Sequence, residues 1–279
     1  MLFTLRYTFP MALCAFDIDG TLIDDTFDSE GKFIVYPEII DALNQLLLKG
    51  HTILFASGRS LPGLVQFSKK LIYPEKVFYS TSNGTCLYDG KGNLFYSSYI
   101  PYHVFIEMYE IYGGNDSWTY MCYTKDDVVG YLGKPNFAPE EARFNVMPCQ
   151  DFNGRSFSEG TMIQKASMTT GDYDAHKIPL APQFSAYQAY ATSNFFFEIV
   201  GKDVSKAHTI AFLAEKLGIA ENDIYAFGDG ENDLTMVAKY HGTATGNAIE
   251  SVKSVASFVA PTAADRGVAY ALKEHWKLI

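Results

Sequence analysis

An apolar run leads directly into two acidic residues in the stretch Ala12-Leu-Cys-Ala-Phe-Asp-Ile-Asp-Gly-Thr-Leu22. Such a run is typical of a strand that is buried on both faces of a parallel sheet. Asp17 and Asp19 follow the strand, and two carboxylates this close repel each other and lose hydration wherever they are partly buried. The pair therefore requires either protonation or a bound cation.

The first 84 residues alternate between apolar runs and helical periodicity, which is typical of a doubly wound α/β sheet. A helix is predicted from Pro37, with Gly50 at its carboxyl end. Two further strands and the polar loops after them are predicted at 52–56 with Ser57-Gly-Arg-Ser60, and at 77–81 with Ser82-Asn-Gly-Thr85. Loops beyond the carboxyl ends of parallel strands form the ligand crevice, so we expect these loops to lie at one site.

The pattern changes after residue 84, where turn signals, aromatic residues and β-branched residues become frequent. Short strands with a helix near 104–111 suit an α+β insert better than further βαβ units. We therefore predict a large inserted α+β cap domain at residues 85–194. A Rossmann-like core, with a mainly parallel sheet, is predicted from residues 1–84 and 195–279.

The α/β pattern resumes near residues 196–200. Ser205 is predicted to cap a helix that Gly218 ends. A buried strand near 223–227 then leads into Gly228-Asp-Gly-Glu-Asn-Asp233, a fourth polar loop. Two short strands and a last helix are predicted near 241–245, 257–260 and 267–275.

Composition excludes several classes of protein. The chain has 279 residues, 48% of them hydrophobic, which is typical of an ordinary globular protein. Its formal net charge of -10 argues against a nucleic-acid partner, because such proteins need a basic surface. No apolar run approaches the length of about 20 residues that crosses a bilayer, so we expect no membrane partner.

The amino terminus and the cysteines both indicate a cytoplasmic protein. The opening ten residues lack the basic start and cleavage site of a signal peptide, and translation could start at Met1 or Met11. The scattered cysteines show no C-x-x-C spacing and are predicted to be reduced core thiols. They are Cys14, Cys86, Cys122 and Cys149.

Two of the predicted polar loops carry four acids: Asp17, Asp19, Asp229 and Asp233. Each loop follows an apolar strand, and an oxygen-rich site of this kind favours Mg²⁺ and substrate phosphate. Either motif alone could be only a polar turn, since Asp and Gly are common turn residues. The two motifs together predict a Mg²⁺ site that also binds phosphate.

Lys206 strengthens this prediction, because a lysine in the first turn of a helix opposes the positive end of the helix dipole. A bound phosphoryl group would remove that penalty, although the side chain could also point to water or pair with an acid. Ser57 and the backbone N–H groups of Gly58 and Arg59 could donate to the same phosphate. A lone Ser-Gly-Arg could also be only a strand-to-helix turn.

These residues resemble a known family. Asp17-Ile-Asp-Gly-Thr-Leu22 is similar to the nucleophile motif of the haloacid dehalogenase-like superfamily. Ser57-Gly-Arg59, Lys206 and Gly228-Asp-Gly-Glu-Asn-Asp233 resemble its other motifs in order. The closer resemblance is to the Cof-like sugar-phosphate phosphatases, which carry a large α+β cap between the second and third motifs.

The resemblance implies a mechanism. Asp17 would attack phosphorus to form an aspartyl phosphate, while Asp19 protonates the leaving alcohol and then activates water. Mg²⁺ would be held by Asp17, the backbone carbonyl of Asp19 and Asp229, while Ser57, Gly58 and Lys206 bind phosphoryl oxygens. The same shell would be completed or oriented by Asn232 and Asp233.

The resulting hypothesis is a Mg²⁺-dependent phosphatase that acts on a small phosphorylated metabolite, with sugar phosphates first by resemblance. Two alternatives stay open: a phosphomutase or phosphotransferase with the same aspartyl nucleophile, and a non-catalytic phosphometabolite sensor. The cap is expected to set specificity, although its aromatic residues, Tyr123 among them, are interpreted as core. We expect a monomer or a weak homodimer.

Overall fold

The structure is a computed structural model that describes residues 11–24, 34–115, 117–155, 160–171 and 173–279, with 192 and 193 described in their backbone alone. The opening ten residues, and with them the choice between Met1 and Met11 as the start, lie outside the described residues. Within these ranges the chain forms one sheet of eight strands and another of seven.

Strands and helices are numbered in chain order. The strands are β1 (Leu13–Phe16), β2 (Thr52–Ala56), β3 (Val77–Thr81), β4 (Cys86–Tyr88), β5 (Leu94–Ser97), β6 (Ile100–Pro101), β7 (Thr119–Thr124), β8 (Val129–Leu132), β9 (Cys149–Asp151), β10 (Met162–Thr169), β11 (Tyr187–Ser193), β12 (Phe196–Gly201), β13 (Ile224–Gly228), β14 (His241–Ala244) and β15 (Phe258–Val259). The helices are α1 (Pro37–Leu48), α2 (Leu61–Ser68), α3 (Tyr102–Tyr112), α4 (Ala138–Phe144), α5 (Lys206–Leu217), α6 (Leu234–Lys239), α7 (Glu250–Val255) and α8 (Gly267–Tyr270), which continues as a π-helical turn over Ala271–His275.

The larger sheet has the order β15-β14-β13-β1-β2-β3-β4-β5. Neighbouring strands from β15 to β3 are parallel, and β4 and β5 add antiparallel pairs at one edge. Alternate residues of β1 are buried on opposite faces: Leu13 and Ala15 pack beside α5, α6 and α7, while Cys14 and Phe16 pack beside α1, α2 and α8. The predicted doubly wound α/β fold is confirmed.

The second sheet has the order β11-β12-β10-β7-β8-β9, and β6 pairs with β10. Most of its pairs are antiparallel, so alternate residues of one strand lie in different cores. On β7, Tyr120 packs in the core that contains α3, whereas Met121 and Tyr123 pack with α4. Sheet and helices together form the α+β part of the fold.

Three strands lie in a different sheet from the one that the sequence predicted. The strands β4 and β5 fall within the predicted cap, 85–194, but belong to the larger sheet, because tight turns fold β4 back beside β3 and β5 beside β4. The strand β12 was assigned to the core but pairs with β10 and β11. A short apolar run does not reveal which sheet it joins. The domain limits themselves stay a prediction.

Three of the four cysteines are core thiols, as the sequence predicted, whereas Cys149 is only half-buried. All four cysteines are free, and Cys14, Cys86 and Cys122 are buried. Burial raises the pKa of the Cys86 thiol to about 11, which keeps it protonated. Among the described helices, none is both long and apolar enough to cross a membrane.

Candidate active site

Two neighbouring parallel strands, β1 and β13, bring the first and last polar loops together. The backbone N–H of Asp17 donates to the carbonyl of Phe227 at 2.9 Å, which extends the pairing of the two strands. Gly20 has φ +75°, and a Cβ atom there would lie 2.1 Å from Oδ2 of Asp229. Glycine is therefore required for this close approach of the loops.

Three carboxylates meet at this edge of the sheet. One oxygen from each of Asp17, Asp229 and Asp233 lies within 4.8 Å of the others. Oδ2 of Asp233 accepts hydrogen bonds from the backbone N–H groups of Asp229 at 2.9 Å and Gly230 at 3.0 Å. The hydroxyl of Thr21 donates to Oδ1 of Asp229 at 3.0 Å. Hydrogen bonds from both loops thus hold the acids in place.

Lys206 is fully buried among these acids. Its Nζ donates to Oδ1 of Asp17 at 2.7 Å and to Oδ1 of Asp233 at 2.5 Å. The residue begins α5, so acids from two loops supply the negative charge that this position favours. The sequence left open whether the Lys206 side chain pairs with an acid or points to water. The structure shows that it pairs with two acids, and the alternative that it points to water is wrong.

The three carboxylates outnumber the single ammonium group. Burial, followed by the charge of Asp233, raises the pKa of Asp17 well above its usual range, and Lys206 opposes this shift. Burial and Asp233 likewise raise the pKa of Asp229 to about 7. Burial alone would lower the pKa of Lys206, but Asp17 and Asp233 outweigh it and raise that pKa. Hard oxygen donors with excess negative charge fit a divalent cation such as Mg²⁺.

Asp19 lies apart from this group of three carboxylates. The guanidinium of Arg59 donates to both of its oxygens, from Nη2 to Oδ1 at 2.6 Å and from Nε to Oδ2 at 2.8 Å. The ring of Phe144, at the end of α4, lies 4.4 Å from the guanidinium carbon. Asp19 was predicted to reach the metal through its backbone carbonyl, and that contact stays a prediction.

A cavity of about 320 Å³ lies between the two sheets, and residues of both line it. The predicted site residues in its wall are Asp17, Asp19, Ser57, Gly58, Asp229 and Asn232. Lys206 and Asp233 are fully buried behind this wall, where both contact other site residues. The structure thus brings the predicted residues to one place, and their roles stay proposals.

The turn after β3 connects the cavity wall to the second sheet. Ser82, Asn83 and Gly84 all have positive φ, of 50°, 61° and 102°. Oδ1 of Asn83 accepts from Nδ2 of Asn232 at 3.0 Å, and its Nδ2 donates to Oε2 of Glu198 at 2.7 Å. Asn83 therefore joins the loop after β13 to a strand of the second sheet.

The second sheet, its loops and α4 contribute cavity residues that the sequence did not predict. They are Tyr123, Glu141, Phe144, Asn145, Lys165, Phe195, Phe196 and Glu198. Tyr123 is buried, as predicted for core, but it also lines the cavity. One signal was available, because Glu198 interrupts the apolar strand β12, and buried charges are rarely found without a partner.

A family model described as haloacid dehalogenase-like hydrolase matches residues 14–272. The chain is a member of that family. The Cof-like resemblance stated from the motifs is confirmed. Relatives that match nearly the whole chain are named putative phosphatases.

Two relatives and one solved structure illustrate the match. A putative phosphatase of Streptococcus pyogenes is 25% identical over 274 residues, which cover 95% of this chain and 98% of the relative. The putative phosphatase YxeH of Bacillus subtilis is 25% identical and covers 94% and 97%. The structure of a subclass IIB sugar phosphatase superposes with a TM-score of 0.76 at 22% identity, covering 96% of this chain and all of that one, which supports the fold.

Proposed function

We propose that this haloacid dehalogenase-like hydrolase is a phosphatase that requires Mg²⁺ and hydrolyses small phosphorylated metabolites, sugar phosphates first, through an aspartyl phosphate on Asp17. One observation carries the proposal: the carboxylates of Asp17, Asp229 and Asp233 lie within 4.8 Å of one another, and the buried Lys206 pairs with two of them. The solved neighbour described as a sugar phosphatase supports the substrate class.

The first half-reaction transfers the phosphoryl group to the protein. A carboxylate oxygen of Asp17 attacks phosphorus as the bond from phosphorus to the leaving oxygen breaks, and Asp19 gives that oxygen a proton. In the second half-reaction Asp19 takes a proton from a water molecule that attacks the aspartyl phosphate. Inorganic phosphate leaves, and the Asp17 carboxylate is restored.

The remaining site residues bind the phosphoryl oxygens and the metal ion. Ser57, Gly58 and Asn232 in the cavity wall are assigned to the phosphoryl oxygens, with Lys206 supplying positive charge beside Asp17. Asp17, Asp229 and the backbone carbonyl of Asp19 would hold Mg²⁺. When bound, the ion would neutralise the carboxylates and the phosphoryl oxygens. Asp233 orients Lys206 and the backbone of the loop after β13.

Purified protein should hydrolyse p-nitrophenyl phosphate with Mg²⁺ and lose that activity in EDTA. Asp17→Asn should lower kcat by at least about 10³-fold, because the nucleophile is gone. The matched control is Asp41→Asn, an exposed acid on α1, which should keep full activity. Full activity of folded Asp17→Asn would refute the nucleophile.

A second measurement separates hydrolysis from transfer. Turnover of glucose 6-phosphate in the presence of a second sugar should release inorganic phosphate, with no phosphorylated second sugar detected. If the phosphorylated second sugar forms in place of free phosphate, the protein is a phosphotransferase and the proposed hydrolysis is wrong. Screening phosphorylated sugars, sugar alcohols, nucleotides and cofactors by kcat/KM should rank the sugar phosphates first.

A further inference from the structure

The part of the cavity wall formed by the second sheet and its helices carries three charged residues, Glu141, Lys165 and Glu198, and we call it the cap wall. Lys165 is 2% exposed and Glu198 is 4% exposed, so both are held almost entirely within the protein. Nζ of Lys165 donates to Oε1 of Glu198 and lies 4.3 Å from the centre of the Tyr123 ring. The ammonium group is thus already paired before any substrate enters.

The third charge on the cap wall is acidic. Glu141 accepts hydrogen bonds from the hydroxyl of Tyr123 and from Nδ2 of Asn145 at 3.1 Å. Burial raises its pKa while Lys165 opposes the shift, and neither protonation state gives the cap wall excess positive charge. The other cation that lines the cavity, Arg59, holds Asp19. Each of the lining cations in the described residues therefore has a carboxylate partner.

We propose that the cap wall selects a compact leaving group that carries hydroxyl groups and no second anionic group. In this assignment Glu198 and Glu141 accept hydrogen bonds from the hydroxyls, and Lys165 keeps Glu198 in place. The inference rests on the proposed function, because it assigns the leaving-group side of the same cavity.

The physical basis is charge and donor type. A carboxylate is an acceptor only and has lone pairs for several donors, so Glu198 can accept a hydrogen bond from a substrate hydroxyl in addition to those from Lys165 and Asn83. A substrate carboxylate in the same place would be repelled by the carboxylates of the cap wall. This repulsion should weaken substrate binding several-fold, even when solvent partly screens the charges. The rings of Phe195 and Phe196, also in the wall, offer an apolar surface to C–H groups.

The volume of the cavity also favours a compact leaving group. Small-molecule sites span roughly 300–1,000 Å³, and this cavity of about 320 Å³ is at the lower limit. In the proposed function the phosphoryl group would occupy the end next to Asp17, which leaves space beside the cap wall for a group of about the size of one monosaccharide.

The test compares two pairs of esters that differ by one carboxylate, with Mg²⁺-loaded protein. These pairs are glucitol 6-phosphate against 6-phosphogluconate, and glycerol 3-phosphate against 3-phosphoglycerate. We expect kcat/KM to favour the neutral member by at least about tenfold, mainly through KM. p-Nitrophenyl phosphate serves as the generic ester.

Two variants assign the selectivity to residues. Glu198→Gln releases Lys165 from its partner, so the preference for the neutral ester should fall at least about threefold as the carboxylate-bearing ester improves. Glu141→Gln should shift the preference the same way, and it provides a second readout if Glu198→Gln unfolds in a thermal melt. Glu107→Gln, an exposed acid on α3, is the matched control and should keep the wild-type preference.

The outcomes separate this inference from the proposed function. If p-nitrophenyl phosphate is hydrolysed but the carboxylate-bearing esters are used equally well or better, the inference is wrong and the proposed function stands. If the wild-type preference is present but persists in both Glu→Gln variants, the assignment to the cap wall is wrong. If no ester is hydrolysed at all, the proposed function fails and the inference fails with it.

Discussion

The guanidinium of Arg59 donates hydrogen bonds to both carboxylate oxygens of Asp19, from Nη2 to Oδ1 at 2.6 Å and from Nε to Oδ2 at 2.8 Å. This fork fixes the plane of the carboxylate as well as its position. The Phe144 ring packs against the guanidinium, and the Ser60 N–H beside it donates to Oδ1 of Asn145 at 3.0 Å. The orientation of the proposed general acid thus depends on residues that follow the second strand and on the end of α4.

Arg59→Lys should therefore lower kcat, because a lysine cannot hold both oxygens in one plane. We expect a loss of about 10- to 100-fold, within the contribution of a positioned general acid. The loss should be larger for glucose 6-phosphate than for p-nitrophenyl phosphate, whose phenolate leaves with little help from a proton. Arg143→Lys, exposed on α4, is the control. Equal losses with the two esters would contradict a role through Asp19.

The sequence predicted the acid loops because each signal is local. An apolar run followed by Asp or Gly-Asp marks the carboxyl end of a parallel strand, and parallel topology then brings β1 and β13 together. The contacts of Lys165 with Glu198 and of Arg59 with Asp19 could not be predicted in this way. Both depend on how one sheet packs on the other, which no short window of sequence contains. The strand β12 was assigned to the wrong sheet for the same reason.

Lys206→Met should destabilise the fold as well as reduce turnover. The substitution keeps an unbranched chain but leaves the buried carboxylates of Asp17 and Asp233 without their cation. Removing one partner of a buried ion pair costs about 3–5 kcal/mol. Urea unfolding in EDTA should show this loss, and Lys216→Met, exposed on the same helix, should show little. A free energy of unfolding within about 1 kcal/mol of wild type would contradict the role of Lys206.

The stability of the metal-free protein should fall as the pH rises. An aspartyl carboxyl in the unfolded chain titrates near 3.8, whereas the pKa of Asp229 in the folded protein is about 7. Between these values the folded state binds more protons than the unfolded state, so unfolding becomes easier with rising pH, and the loss is complete above about pH 7.

Thermal melts at about pH 5 and about pH 8 measure this effect. In EDTA the melting temperature should be lower at the higher pH, and Mg²⁺ should reduce the difference because the cation favours the ionised carboxylates. Asp229→Asn should also reduce it. A melting temperature in EDTA that rises between the two pH values would show that other groups control the pH dependence.

Substitutions of Asn83 should separate its backbone role from its side-chain role. Asn83→Gly keeps the left-handed backbone at φ 61° but removes the hydrogen bonds to Asn232 and Glu198. We expect kcat/KM to fall about tenfold, because a freed Asn232 side chain is less well placed for the phosphoryl group. Asn83→Ala should show the same kinetic loss. It should also be less stable than Asn83→Gly, because a left-handed backbone costs a residue with a Cβ atom about 1–2 kcal/mol.

The two variants are compared by kcat/KM for glucose 6-phosphate and by urea unfolding. If Asn83→Gly keeps wild-type kinetics while Asn83→Ala loses both activity and stability, the turn would matter only for its backbone shape. The link between the loop after β13 and the second sheet would then have no part in catalysis. If both variants lose activity equally but differ in stability, the Asn83 side chain positions Asn232, and the turn conformation makes a separate contribution to folding.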